Sequence, residues 1–161
     1  MLKIRRYRPE DNEVIKELNE AGIVQMNPTG ALQLIPHIDE DLDDIEGVYL
    51  KGGEFIVGLE NGEVVAMGAF KRRTAECAEF KRLRIRPDRQ RQGYGEFIMR
   101  KLMELAVEMG YTEGFLDTLT TNTRAQKLFE KLGFVKSGRD KKGPFDVFLY
   151  YRKLEKGGQA R

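Results

Sequence analysis

A stretch of alternating strand character that ends at Pro87, a turn holding two glycines, and a long apolar-periodic run follow one another between Cys77 and Met109. A second short strand pattern, Gly114 to Leu119, comes directly after. Strand, turn, helix and strand in that order form a βαβ unit, and such a unit places its two strands parallel. The rest of the sheet is expected to be antiparallel, as in the Asn61-Gly62 hairpin. The fold class expected is therefore α/β (α+β): a mixed, mostly antiparallel sheet of about six to seven strands with about four helices. One parallel pair is embedded in it.

Around this unit the remaining elements fall into place. A short strand is expected over Leu2–Tyr7, and Pro9 opens a helix to about Ala21, with Gly22 as its stop. Residues 23–36 carry Pro28, Gly30 and Pro36 and read as irregular. Ile38, Leu42, Ile45 and Tyr49 are spaced for a second helix, whose acidic residues Asp39–Glu46 read as a solvated face or as an attraction for a cationic amine. Strands over Glu54–Leu59 and Glu63–Phe70 flank Asn61-Gly62, the strongest short-range hairpin signal, because both residues accept positive φ. In the strand Cys77–Arg86, apolar residues change parity between Phe80 and Leu83, which predicts a β-bulge near Lys81–Arg84. Phe97, Ile98, Leu102, Leu105, Ala106 and Met109 predict one helix stripe, capped by Gly110. Asn122 is placed to N-cap a further helix that Gly133 ends. Strands over Phe134–Arg139 and Phe145–Leu154 complete a single domain, residues 1–155, followed by a polar tail at 156–161.

Scarcity of reactive residues excludes several chemistries. The chain of 161 residues has one histidine, His37, one serine, Ser137, and one cysteine, Cys77. A Cys/His zinc site would need about four such ligands, so no metal is expected. Ser137 lies in a turn-like polar stretch without a nucleophile elbow, which leaves no serine triad. Cys77 reads as a buried thiol, and His37 as a loop residue. A lone cysteine, and the lack of a leader or membrane-length apolar run, point to a cytoplasmic protein with no membrane partner. Net charge is only +2, so no nucleic acid is expected. The basic residues Lys71, Arg72, Arg73, Lys81, Arg82, Arg84 and Arg86 read as a solvated strand face.

The glycine turn itself reads as an anion cradle. The first N–H groups of a helix lack intrahelical partners, and glycines let backbone curl round a phosphate. Arg89 and Arg91 add charge beside it. The dinucleotide fingerprint fails because Ile98 stands at its third glycine, and no P-loop run exists. Gln90-Arg91-Gln92-Gly93-Tyr94-Gly95 does match the Q/R-x-x-G-x-G/A signature of the GNAT acetyltransferase superfamily. NTRAQKLFEKLGF (Asn122–Phe134) resembles that family's N-x-x-A-x-x-[LF]-[YF]-x-x-x-G-F helix, while LRIRP and FIVGLENGEVVAMGAF resemble its central strands. The likeness covers about residues 54–154 and extends loosely to the N-terminal strand and helix.

That resemblance implies a GNAT fold, with a splayed parallel strand pair binding acetyl-coenzyme A as acetyl donor, and an amine acceptor as the other substrate. It implies cofactor contacts from Leu83, Arg84 and Ile85 through the bulged strand, from the backbone of Gln90, Arg91, Gln92, Gly93, Tyr94 and Gly95, and from Asn122 and Phe129. It implies Glu79 as catalytic base, with Asp117 as a second candidate. Phe129 occupies the position where many relatives have a tyrosine that protonates the leaving thiolate. Phenylalanine cannot do so, which leaves Tyr94, Tyr150 or a water as the acid and keeps a non-catalytic acyl-coenzyme A-binding regulator as the alternative. Glu96 should point away from the phosphates. Homodimerisation stays open.

Overall fold

The computed structural model describes residues 2–26 and 35–156. Seven strands form one sheet: β1 (Lys3–Arg6), β2 (Glu54–Glu60), β3 (Glu63–Arg72), β4 (Cys77–Ile85), β5 (Glu113–Leu119), β6 (Val135–Lys142) and β7 (Phe145–Lys153). Their spatial order is β1-β2-β3-β4-β5-β7-β6. All neighbours run antiparallel except β4 and β5. The four α-helices among the described residues are α1 (Asn12–Met26), α2 (Ile45–Val48), α3 (Tyr94–Glu108) and α4 (Thr123–Lys131).

Two apolar clusters occupy the two faces of the sheet. Ile98, Leu102 and Ala106 of α3 pack with Phe129 of α4, Phe70, Phe80 and Leu116 on one face. Ile15 and Leu18 of α1 pack with Ile45, Tyr49, Phe55, Met67 and Ala69 on the other. The strands between them alternate sides, so β3 sends Ala66 and Phe70 to the first cluster and Met67 and Ala69 to the second.

The β2–β3 hairpin has the two-residue turn expected, with Glu60 opposite Glu63 and φ of 52° and 82° at Asn61 and Gly62. The bulge in β4 is equally plain. Met67 faces Arg84 and Ala69 faces Lys81, so Gly68 stands opposite both Arg82 and Leu83. Arg82 absorbs the extra residue at φ 61°. Beyond it Leu83 and Ile85 lie on the α3 side and Arg84 on the α1 side.

Several sequence expectations are corrected. Gly22 does not stop the first helix, which runs on to Met26. The reason is steric: a Cβ on Gly22 would lie 2.4 Å from Cδ of Arg84, so the glycine lets this side chain pass beneath α1. The expected helix over 38–49 is broken into a 3-10 turn, Glu40–Asp43, and α2. Asp44 breaks it by leaving helical geometry (φ −146°, ψ 65°) and accepting the Gly47 N–H at 3.0 Å as a new N-cap. The α3 stripe is Ile98, Met99, Leu102, Met103 and Ala106, while Phe97 and Met109 lie at its rim, about half exposed. Ser137 sits within β6, where the register shifts between Lys136 and Gly138, not in a turn. The stretch 27–34 and the tail from residue 157 lie outside the described residues. No described helix is long and apolar enough to cross a membrane.

Candidate active site

β4 and β5 pair only over Cys77↔Glu113, Ala78↔Gly114 and Glu79↔Phe115. Past Glu79 they diverge, because the bulge turns β4 while β5 stays paired along its whole length with β7. Arg86 N–H donates to Val65 O at 2.8 Å. By antiparallel alternation Arg84 bonds toward β3, and Leu83 and Ile85 aim their N–H and C=O groups away from it. Those groups line the gap left by β5. Gln90 Nε2 already reaches the Ile85 carbonyl at 3.3 Å.

At the end of β4 the chain passes through a 3-10 turn, Pro87–Arg89, into the glycine turn. Gly93 is the N-cap of α3 at φ 80°, and nothing lies within 4 Å of where its Cβ would be. The first helical hydrogen bond is Phe97 N–H to Gly93 O, 3.0 Å, so the N–H groups of Tyr94, Gly95 and Glu96 precede the helical ladder. Arg91 is also left-handed, at φ 65°. Successive left-handed and helical residues curve a backbone so that its N–H groups converge on an anion. An open, Cβ-free N-terminus of this kind fits a pyrophosphate.

The arginines flanking this turn differ in availability. Arg89 is neutralised by Glu60 and Asp88, and Tyr94 also donates to Glu60. The Tyr94 hydrogen bond and the Arg89 guanidinium hold the Glu60 carboxyl below its usual range. Arg91 has no ion pair among the described residues. Arg124, in the first turn of α4, reaches Gln90 Oε1 at 2.6 Å. Sequence reading passed over Arg124 because its meeting with Gln90 depends on where α4 docks. The α1 terminus joins the same cluster, with Gln25 bonded to Gln90 at 2.7 and 3.0 Å and Met26 Sδ to Asn122 Nδ2 at 3.3 Å. Asn122 caps α4 through Ala125 N–H, 3.2 Å, at the opposite lip of the gap. Glu96 turns away to Arg100 and Lys131.

Glu79 stands at the last parallel pair, where the gap opens. Its side chain is 17% exposed, and its nearest cation is Arg73, 3.8 Å away. The Arg73 guanidinium lies 3.6 Å above the Phe115 ring, so it is held by stacking as well as charge. Asp117, two residues further along β5, accepts from Lys142 at 3.3 Å. Phe129 is 8% exposed and sits in the core against Phe134 and Tyr150, with ring centroids 6.3 and 6.5 Å away. Tyr150 is fully buried and donates to Glu130 at 2.8 Å; burial, with that carboxylate, pushes its hydroxyl up to about 12.

On the α1 face, the arginines of β4 are not the solvated row expected. Arg82 donates to Asp41, Asp39, Asn19 and the Ile38 carbonyl, and its side chain is 7% exposed. Burial works against the Asp41 charge, but hydrogen bonds from Arg82 and Tyr49 outweigh it and leave the carboxyl below its ordinary range. Asp39 and Asp41 are therefore internal counter-charges, while Glu40, Asp43, Asp44 and Glu46 are exposed, as a solvated face requires. The meeting of Asp39 and Asp41 with Arg82 spans about forty residues of sequence, which no local pattern could announce.

Cys77 is buried, and burial pushes its thiol up. His37 pairs with Glu40 at 2.6 Å on the surface. Among the described residues no group of three or more His, Cys, Asp or Glu is placed to hold a metal ion. A hollow of about 550 Å³ between α1 and the start of β3, lined by Val14, Leu18, Ala21, Glu63, Val64 and Arg86 among others, contains none of these candidates. The gap between β4 and β5 is the better site, because backbone polar groups, the anion cradle and a carboxylate converge there.

The model of the acetyltransferase (GNAT) family matches residues 25–134. The chain is similar to human N-acetyltransferase 8, 33% identical over 107 residues, which are 62% of this chain and 47% of that protein. It is also similar to the N-acetylaspartate synthetase of Danio rerio, 31% identical over 101 residues, 61% of this chain and 36% of that protein. The chain thus matches less than half the length of these curated relatives. A GNAT-family acetyltransferase structure from Staphylococcus aureus superposes with TM-score 0.83 at 20% identity, covering 96% of this chain and 100% of that one. A Salmonella typhimurium structure, solved with its cofactor acetyl-CoA, superposes with TM-score 0.75 at 20% identity, covering 96% and 95%.

Proposed function

The chain belongs to the acetyltransferase (GNAT) family, and on that premise we propose that it is an N-acetyltransferase that moves the acetyl group of acetyl-coenzyme A to a primary amine. The observation that carries this reading is the conjunction at the β4–β5 gap. A Cβ-free helix N-terminus, strand backbone facing an unpaired edge, and a carboxylate at the point of divergence lie along one path. When bound, acetyl-coenzyme A supplies the acetyl group as a thioester open to attack by an amine.

Each residue then has a task. The N–H groups from Gly93 to Glu96 would hold the pyrophosphate, with Arg91 and Arg124 beside it. Leu83 and Ile85 would bond the pantetheine arm as a neighbouring strand does, and one of their N–H groups would steady charge growing on the carbonyl oxygen. Asn122 would complete the opposite lip. An alkylammonium has a pKa of about 10.4 and cannot attack until it loses a proton. Glu79 would take that proton, directly or through one water. Phe129 would bound the site as an apolar wall from the core. A thiol of pKa about 8.5 leaves adequately as the thiolate, so no acid at Phe129 is required. A cytoplasmic setting belongs to the same proposal and is supported by the lone, buried Cys77 thiol.

Thiol release from acetyl-coenzyme A, measured against amines, amino acids and peptides, tests the reading. In parallel, coenzyme A should raise the melting temperature of the parent, since a ligand that binds only the folded state stabilises it. Gly93→Val adds a branched side chain at φ 80° and should abolish most of that shift. A folded Gly93→Val protein with an unchanged shift would remove the cradle from this account.

A further inference from the structure

Interior cations normally sit beside carboxylates, because an unpaired buried charge is costly. β4 presents four charged side chains to the α1 face: Glu79, Lys81, Arg82 and Arg84. Lys71, Ala69 and Met67 are the β3 partners of Glu79, Lys81 and Arg84, and they fix that orientation. Arg82 is saturated by Asp39 and Asp41. Arg84 is not. Its Nε donates to Asn19 Oδ1 at 3.2 Å and its Nη1 to the Leu83 carbonyl at 3.0 Å, both neutral acceptors. Its Nη2 finds no acceptor among the described residues. Asn19 is 3% exposed and shares the same oxygen with Arg82, so it orients both guanidiniums without neutralising either.

The position is built rather than incidental. α1 carries Gly22 in its interior, where alanine is favoured by about 1 kcal/mol, and only that missing Cβ lets the Arg84 stem pass. Burial, with the neighbouring Arg82 charge, lowers the Arg84 guanidinium to about 10, which still leaves it charged at neutral pH. The Leu83 carbonyl that it grips belongs to the residue facing the gap, so the guanidinium stands at the gap's α1 side. Lys81, one step toward Glu79 on the same face, is a second cation with no hydrogen bond or ion pair among the described residues. Burial lowers its ammonium as well. The helices α3 and α4 and the glycine turn occupy the other face, so an acceptor enters the gap from the side where Glu79, Lys81 and Arg84 are ranged.

We propose that Arg84, with Lys81, anchors a carboxylate of the acceptor, so that the amine acetylated here is one that also carries a carboxylate, such as a free amino acid. The amine then lies toward Glu79 and the carboxylate toward the two cations. This rests on the transferase reading above. A planar guanidinium with a free Nη2 edge suits the two oxygens of a carboxylate. A polyamine would meet the same two cations and be repelled.

The test compares thiol release with a panel of L-amino acids, the matching amino-acid amides and the matching decarboxylated amines, in the parent, Arg84→Gln and Arg84→Lys. The parent should favour the best amino acid over its amide by roughly 10- to 100-fold in kcat/KM, the usual worth of a hydrogen bond to a charged group. In Arg84→Gln this ratio should fall toward one, mainly through KM, while Arg84→Lys retains part of it. Equal use of acids and amides by the parent overturns the assignment, and this arm needs no variant to fold. Selectivity that survives in a folded Arg84→Gln protein also overturns it. Should Arg84→Gln instead lose the melting-temperature rise given by coenzyme A while keeping its selectivity, the guanidinium serves the cofactor's phosphates and the acceptor assignment falls. Silence of the parent across acids, amides and amines alike overturns the transferase reading, and this one with it.

Discussion

Glu79 is the carboxylate at the point where β4 and β5 part, and the base of the proposed reaction. Arg73 is near enough to hold its position, yet at 3.8 Å is not bonded closely to it, and is partly engaged by the Phe115 ring. If Glu79 takes the amine's proton, Glu79→Gln should lower kcat by roughly 10²–10⁴-fold, the range for loss of a general base. The rise in melting temperature on adding coenzyme A should stay as in the parent. Unchanged kcat between pH 6 and 9 would reduce Glu79 to a strand residue with an ionic neighbour. The same profile bears on Phe129. Tyr150, raised to about 12 by burial and its bond to Glu130, keeps its proton throughout that range. The kcat profile should therefore rise to a plateau with no alkaline fall from Tyr150.

At the scale of elements, α1 and β4 are coupled through a single missing methyl group. An interior glycine replaced by alanine ordinarily stabilises a helix by about 1 kcal/mol. In α1 the new Cβ would meet the Arg84 side chain at 2.4 Å, so Arg84 must move and its bond to Asn19 is disturbed. Gly22→Ala should accordingly fail to stabilise the parent. In an Arg84→Ala background the obstruction is gone, and the same substitution should gain about 1 kcal/mol. Denaturant titration of the four proteins gives the coupling directly. Equal effects of Gly22→Ala in both backgrounds would show that the stem of Arg84 swings aside freely.

For the whole molecule, the buried ionic network of Arg82, Asp39, Asp41, Asn19 and Tyr49 ties the segment before α2 to the centre of the sheet. Asp41→Asn leaves Arg82 with Asp39 as its one remaining carboxylate, 3.0 Å away, and should cost about 1–3 kcal/mol, the worth of a lost hydrogen bond to a charged group, read as a lower denaturant midpoint. The pH dependence has a definite sign. The Asp41 and Asp11 carboxyls are held below their ordinary value, 3.8, in the folded state, Asp11 chiefly by hydrogen bonds from Arg5. The unfolded chain binds protons first, so their contribution is complete above that value and is lost as pH falls through the lower folded values. Acid unfolding should therefore steepen below about pH 4, and Asp41→Asn should flatten that limb. An acid limb identical to the parent's would show that Asp41 is not a principal source of it.

Local order was legible in the residues themselves. Asn61-Gly62 dictates its hairpin because both backbones accept positive φ. The parity change after Phe80 marks the bulge, since a strand cannot alternate faces and still bury both sets. Gly93 and Asn122 mark the starts of α3 and α4 by their own stereochemistry. Periodicity placed every strand of the sheet, and the βαβ order required its parallel pair. Other features were out of reach because they are relations between distant side chains. Gly22 reads as a helix stop until Arg84 is seen beneath it, and Asp39 and Asp41 read as part of a wet face until Arg82 is folded against them. Arg89 reads as free positive charge beside the glycine turn until Glu60 pairs with it. A sequence specifies backbone conformation through short-range sterics, but which charges are left without partners is decided only when the sheet brings β4 under α1. Among the described residues Arg84 and Lys81 are left without a carboxylate partner in this way, and the acceptor proposed above rests on them.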